Sequence, residues 1–176
     1  MSNFVVELWD DEGSKCTFYT VRWDEAETNE TDKLFSKYEN ESSALHHSAN
    51  ELLLLILDVI GDKYGALDDF FDRIENNAQA LPPRPKRHIS EIYQLGVQFP
   101  LRLYCYRISE TIVVLFGGGR KSAATSQASE VSMQFIEAQQ FSKSIEEALR
   151  EGTMLISEDQ RYLTDFQNNH EIFLSP

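Results

Sequence analysis

Apolar and polar positions alternate in blocks that mark out a sequence of short elements. Residues 4–9 (FVVELW) and 16–23 (CTFYTVRW) are rich in β-branched and aromatic types. They flank Asp10-Asp11-Glu12-Gly13-Ser14, a turn-forming cluster, so the pair predicts an N-terminal β-hairpin. In the acidic stretch 24–41, Leu34, Phe35 and Tyr38 recur at helical spacing, with Thr28 or Thr31 as the expected N-cap. Ser43 to Ile60 is apolar on most sides and predicts a central core helix ended by Gly61. Leu67, Phe70, Phe71 and Ile74 predict a further short helix over 66–76.

Three prolines in the stretch Ala80-Leu81-Pro82-Pro83-Arg84-Pro85 exclude helix and predict an extended connector. A short turn or helix is expected over 88–95. Residues 99–108 (FPLRLYCYRI) and 111–116 (TIVVLF) predict two strands joined tightly at Ser109-Glu110, with Gly117-Gly118-Gly119 ending the second. After a polar patch over 120–129, Val131, Phe135, Ala138, Phe141, Ile145 and Ala148-Leu149 give the apolar face of a long helix, 129–151. A short helix near 158–166 and a last strand over 171–174 complete the reading. No internal repeat or low-complexity block interrupts the pattern. The expected fold class is α+β, a single domain in which an N-terminal hairpin and a small antiparallel sheet are packed by helices.

Length and composition narrow this. The 176 residues leave room for one ordinary domain, and an apolar content of 41% with eleven Phe and seven Tyr supplies a sizeable core. Cys16 and Cys105 stand in apolar runs, too few for a disulfide framework, and are expected as buried free thiols. The N-terminus has no basic start with an apolar signal core, and the run Leu52 to Leu57 is too short to span a bilayer. The expectation is a cytoplasmic protein without membrane association, metal or cofactor.

Net charge is −13, which for an even distribution would repel polyanions. The distribution is uneven. Residues 1–83 hold 6 basic and 18 acidic side chains, and residues 122–176 hold 3 and 9. Residues 84–121 reverse the sign, with 7 basic (Arg84, Lys86, Arg87, Arg102, Arg107, Arg120, Lys121) and 2 acidic (Glu91, Glu110). On the strand 101–107, Arg102, Tyr104 and Tyr106 share one face, a cationic aromatic surface of the kind that binds phosphates and stacks on bases. Leu101, Leu103, Cys105 and Arg107 share the other. The competing reading is that these cations pair with the chain's own carboxylates.

Other motifs carry less. Gly117 to Ser122 (GGGRKS) fails the phosphate-loop spacing, because Arg120 stands where the second glycine belongs and Leu115 where the first belongs. His47 and Glu51 are four apart on a helix without a third ligand, and read as a surface pair.

The stretch from Leu81-Pro82-Pro83 to Lys121, with LRLYCYRI followed by TIVVLFGGGRKS, resembles the RelE/ParE/HigB-type toxins, and within them a longer, acidic, Bacteroidetes-type branch. The resemblance spans about residues 45–150: helices, a basic connector, two strands, then a C-terminal helix. It leaves 1–44 as a hairpin with an acidic extension and 151–176 as a tail. The resemblance implies the toxin of a type II toxin–antitoxin pair, a metal-independent endoribonuclease acting on ribosome-bound mRNA, with a cognate antitoxin as partner. It implies a catalytic set of Arg102, Arg107, Arg120 and Tyr104, with Arg84, Lys86, Arg87, His88 and Lys121 binding RNA. His88 is a second candidate for proton transfer.

Two further readings stand beside it. One is a non-enzymatic interaction or regulatory module on the same fold, an inactive relative, which requires Arg102, Arg107 and Arg120 to be buried in ion pairs with residues such as Asp68, Asp69 or Asp72. The other is an acidic decoy of nucleic acid, which requires the carboxylates of 24–41 to line one exposed face.

Overall fold

A computed structural model describes residues 2–121 and 131–176. The chain is α+β. Among the described residues a seven-stranded sheet runs in the order β3-β4-β5-β6-β2-β1-β9, with β7 and β8 forming a separate two-stranded hairpin. The strands are β1 (Phe4–Asp10), β2 (Thr17–Trp23), β3 (Ile74–Glu75), β4 (Ala78–Leu81), β5 (Leu101–Arg107), β6 (Ile112–Arg120), β7 (Met154–Ile156), β8 (Leu163–Asp165) and β9 (Ile172–Leu174). The helices are α1 (Glu30–Lys37), α2 (His46–Leu54), the single turn α3 (Ser90–Tyr93) and α4 (Val131–Glu151).

The sheet is larger than expected, and it is mixed. Strand β2 lies parallel to β6, from Thr17 opposite Ile112 to Thr20 opposite Leu115, while β1 with β2 and β5 with β6 pair antiparallel. The N-terminal hairpin therefore sits inside the sheet, with β2 between β6 and β1. The sequence of β6 agrees with this position: Ile112 to Phe116 is an unbroken apolar run, and all five residues are fully buried.

Both faces of the sheet are covered. On the first, Phe18, Leu101, Leu103, Cys105, Val113 and Leu115 pack against Leu34, Leu52, Ile56, Ile60, Phe70 and Ile92. On the second, Phe4, Val6, Tyr19, Tyr104, Val114 and Phe116 pack against Ala138, Phe141 and Ile145 of α4. Phe141 is the hub of the second core, its ring 4.8 Å from Phe4, 5.0 Å from Trp23 and 5.3 Å from Phe116.

Several elements differ from expectation for identifiable reasons. The N-cap of α1 is Asn29, whose side-chain oxygen accepts from the Asp32 N–H at 2.7 Å. Thr31 instead donates to the Phe116 carbonyl at 3.0 Å, tying α1 to β6. Gly61 does not end the core helix. The helix continues beyond α2 with π-type hydrogen bonding over Leu55–Tyr64 and stops at Gly65, where φ is +83°. The close approach here requires Gly13: a Cβ on it would come within 2.3 Å of the Gly61 carbonyl oxygen, which already accepts from the Lys15 and Cys16 N–H groups.

The helix expected over 66–76 is a single 3₁₀ turn at Asp68–Phe70, followed by β3. Phe70 and Phe71 are buried by that turn, but Ile74 is 71% exposed, so the helical spacing was coincidental. The helix expected over 158–166 is the β7–β8 hairpin. Ser157 donates to Asp159 within its loop, and Gln160 adopts a φ of +65°. Gly117 to Gly119 does not end the second strand either; β6 runs through all three to Arg120, with an irregularity opposite Leu103 and Cys105. The start of the long helix at 129–130, and Ser122 of the GGGRKS stretch, lie outside the described residues.

Residues 151–176 are stitched to the N-terminal hairpin. Arg161 donates to the carbonyls of Gly13 at 2.7 Å and Ser14 at 2.9 Å, and to Thr17 Oγ1 at 3.0 Å. The Leu163 N–H donates to the buried Tyr19 hydroxyl at 2.8 Å. No helix among the described residues is long and apolar enough to cross a membrane.

Candidate functional site

The predicted site residues divide between the two faces of the sheet. In an antiparallel pair, residues directly opposite share a face. Arg102 lies opposite Gly119 and Tyr104 opposite Ala80, and Tyr104 and Ala80 belong to the core under α4. Arg107 follows Leu103 and Cys105 onto the other face, where its Nε donates to the Ala66 carbonyl at 2.6 Å and its Nη1 stands 3.1 Å from Asp68 Oδ1. Arg120 is exposed at the end of β6, opposite Leu101. Arg102, Arg107 and Arg120 therefore do not converge in one cleft.

The face carrying Arg102 and Tyr104 is not an open stacking surface. Tyr104 is 5% exposed and meets Phe135 of α4 edge-on, with centroids 5.9 Å apart. Burial, followed by the charge of Glu75, pushes its hydroxyl up to about 12. Arg102 is 6% exposed, and its Nη1 donates to the carbonyls of Phe99 at 2.9 Å and Leu101 at 2.8 Å. Desolvation, with the neighbouring charge of Arg73 second, lowers its guanidinium to about 10.

In the connector, two carboxylates of the segment Asp68 to Asp72 meet the basic residues. Asp72 forms an ion pair with Lys86 and accepts from the Arg84 N–H at 3.1 Å, and the Arg84 side chain donates to the Asp72 carbonyl at 3.4 Å. His88 Nε2 is 3.2 Å from Asp69 Oδ2. Arg87 is exposed. His47 and Glu51 form a surface pair at 3.4 Å. Among the described residues no group of three or more His, Cys, Asp and Glu is arranged to hold a metal. Cys16 and Cys105 are buried free thiols, both raised by desolvation, Cys16 to about 12.

One site residue escaped the sequence reading. Arg73 precedes β3, and its carbonyl accepts from the Ala80 N–H at 2.9 Å, which brings it beside Tyr104 and Arg102. The missing signal was the β3–β4 hairpin itself: once 66–76 is read as helix, Arg73 cannot be placed on the sheet. A surface depression of about 440 Å³ is lined by Asp165, Asn169, His170, Glu171 and Phe173, away from all of these residues.

The acidic segment does not form one exposed face. Glu30 is 8% exposed beneath α4, and Lys33 and Lys37 are interspersed with the carboxylates of α1. Compared with known proteins, the chain matches no protein-family model, no curated protein and no solved structure.

Proposed function

We propose that the protein is a non-enzymatic interaction module with the element order of the RelE/ParE/HigB-type toxins, and that its partner is a protein of the antitoxin kind. The observation that carries this reading is that Arg102 lies on one face of the sheet and Arg107 and Arg120 on the other, with Arg107 held by the Ala66 carbonyl and Lys86 paired with Asp72. Backbone cleavage by a neighbouring 2′-OH needs cations aimed together at one phosphorane and groups that exchange protons near neutral pH. Arg102 and Arg107 lie on opposite faces, and the Tyr104 hydroxyl is buried and raised to about 12. A net charge of −13 also disfavours a polyanion and favours a basic partner surface.

The endoribonuclease remains as a second reading because of one observation. Within residues 45–150 the helix α2, the basic connector, β5 and β6, and then α4 follow one another in the order that the resemblance implies, with the hairpin β3–β4 added before the connector. Induced expression in growing cells, with the integrity of ribosome-bound mRNA followed in parallel, separates the two. The interaction module leaves growth and mRNA intact. Growth arrest with mRNA cleavage, relieved by Arg102→Ala plus Arg120→Ala at equal protein levels, would overturn it in favour of the enzyme.

A further inference from the structure

Apart from the cations beside Asp68 and Asp72, the described residues bring three together on the α4 side of the sheet. Strand register places them. Arg102 lies opposite Gly119, and past the Leu101–Arg120 pair the Lys121 N–H donates to the Pro100 carbonyl at 2.7 Å. Pro100 and Lys121 are each two residues from the Arg102–Gly119 pair, so Lys121 and Arg102 share a face. Arg73 arrives from the neighbouring hairpin, and its Nε donates to the Pro82 carbonyl at 2.8 Å. Pro82 follows Leu81, which is paired with Leu103, so this bond turns the Arg73 guanidinium toward Arg102.

Side chains on the strands between them are small: Ala80 on β4 and Gly119 on β6 leave the cations unscreened by bulk. Among the described residues no carboxylate stands within ion-pair distance of Arg73, Arg102 or Lys121. Glu75 is the acidic group that acts on all three from further off. The cations also destabilise one another. Arg102 is the leading cause of the lowering of Lys121, and Arg73 comes second to desolvation in the lowering of Arg102. Like charges held together without a carboxylate bridge are a standing cost to the fold, which a bound anion relieves.

We propose that Arg73, Arg102 and Lys121 form a binding site for a dianionic phosphate group, as carried by inorganic phosphate or a phosphate monoester. Among the described residues Glu75 opposes all three cations, and Asp72, itself paired with Lys86, opposes Arg73 as well, so the group keeps a positive excess that suits a phosphate carrying about −1.5 to −2 at neutral pH. A backbone phosphodiester carries about one charge, and it is flanked by sugars that have to reach a guanidinium only 6% exposed. Planar guanidinium groups suit a tetrahedral oxyanion through paired N–H donors. The proposal goes beyond the interaction reading and does not rest on it.

The test is titration of the full chain with inorganic phosphate, followed by NMR of the arginine Nε–H signals. Phenyl phosphate and a trinucleotide without terminal phosphate serve as the two competitors. The expected result is saturable shifts at Arg73 and Arg102, displacement by phenyl phosphate, and little competition by the trinucleotide. Lys121→Ala alters an exposed side chain and is expected to weaken phosphate binding about tenfold with an unchanged circular dichroism spectrum. No saturable shift in the wild type, or equal affinity in wild type and Lys121→Ala, would overturn the site. Preference for the trinucleotide over both phosphates would overturn the choice of ligand and assign the cations to RNA.

Discussion

Arg107 Nη1 stands 3.1 Å from Asp68 Oδ1, while Nε of the same guanidinium donates to the Ala66 carbonyl at 2.6 Å. The two bonds are unequal. Asp68 is 94% exposed, so its attraction acts through water and is worth little. The Ala66 carbonyl belongs to a fully buried residue, and leaving it unpaired carries a desolvation cost. Arg107→Met is therefore expected to destabilise the fold by about 1–3 kcal/mol in urea titration. Asp68→Asn is expected to leave the midpoint unchanged. Equal effects from the two variants would mean that the ion pair, and not the carbonyl bond, holds Arg107.

Gly118 makes the closest approach between strands. A Cβ built there would lie 1.9 Å from the Arg102 carbonyl oxygen, a backbone atom that cannot turn aside. Gly118→Ala must push β5 and β6 apart next to the ladder irregularity, with an expected loss of at least about 3 kcal/mol or failure to fold. Gly117 is the contrast, since its Cβ would meet the flexible Gln134 side chain at 3.3 Å. The expected order of thermal midpoints is wild type, Gly117→Ala, then Gly118→Ala well below. A Gly118→Ala protein with a wild-type midpoint would show that the two strands have room to separate.

The same glycines explain what the sequence could and could not disclose. Periodicity located β1, β2, β5, α1 and α4, because each carries a strong pattern over at least seven residues. It failed at Gly117 to Gly119, where a run normally read as a stop is instead tolerated by close strand approach. It failed again at Asn76, whose φ of +57° turns β3 into β4 within a segment that looks helical. The parallel contact of β2 with β6 joins residues about 95 apart, from Thr17 to Ile112, and no local pattern encodes it. The basic segment 84–121 was legible as a concentration of charge. The alternation along β5 also disclosed that Arg102 and Arg107 lie on opposite faces; that α4 covers the face of Arg102 and Tyr104 was not legible, because no local pattern says which helix packs there. Arg73 stayed hidden because its segment looks helical.

Phe141 is 1% exposed and touches three aromatic rings contributed by β1, β2 and β6. Truncation there leaves a cavity that four rigid elements cannot close, so Phe141→Ala is expected to cost about 3–5 kcal/mol. Phe141→Leu keeps most of the volume and is expected to cost less than half as much. Chemical denaturation of both variants checks the ordering. A Phe141→Ala loss below about 1 kcal/mol would mean that α4 re-packs freely over the sheet.

The pH dependence of α4 docking rests on Glu137. Its carboxyl is raised above the usual range, chiefly by burial and then by Glu30 across the α1–α4 contact. The Trp23 hydrogen bond and the charge of Lys33 oppose that shift without cancelling it. Lys33 Nζ lies 2.7 Å from Glu30 Oε2, so Lys33 compensates one carboxylate of the pair better than two. A raised carboxyl holds its proton in the folded chain at pH values where the unfolded chain has lost it. Its contribution is therefore fully present below the ordinary value of 4.5 and is lost as pH rises through the higher folded value. Glu137→Gln removes the titration while keeping the shape. The expected outcome is a variant more stable than wild type at neutral pH, with the gap closing toward pH 4.5. Urea midpoints measured across that range decide it, and a gap that widens on acidification would show that Glu137 is charged and stabilising in the folded protein.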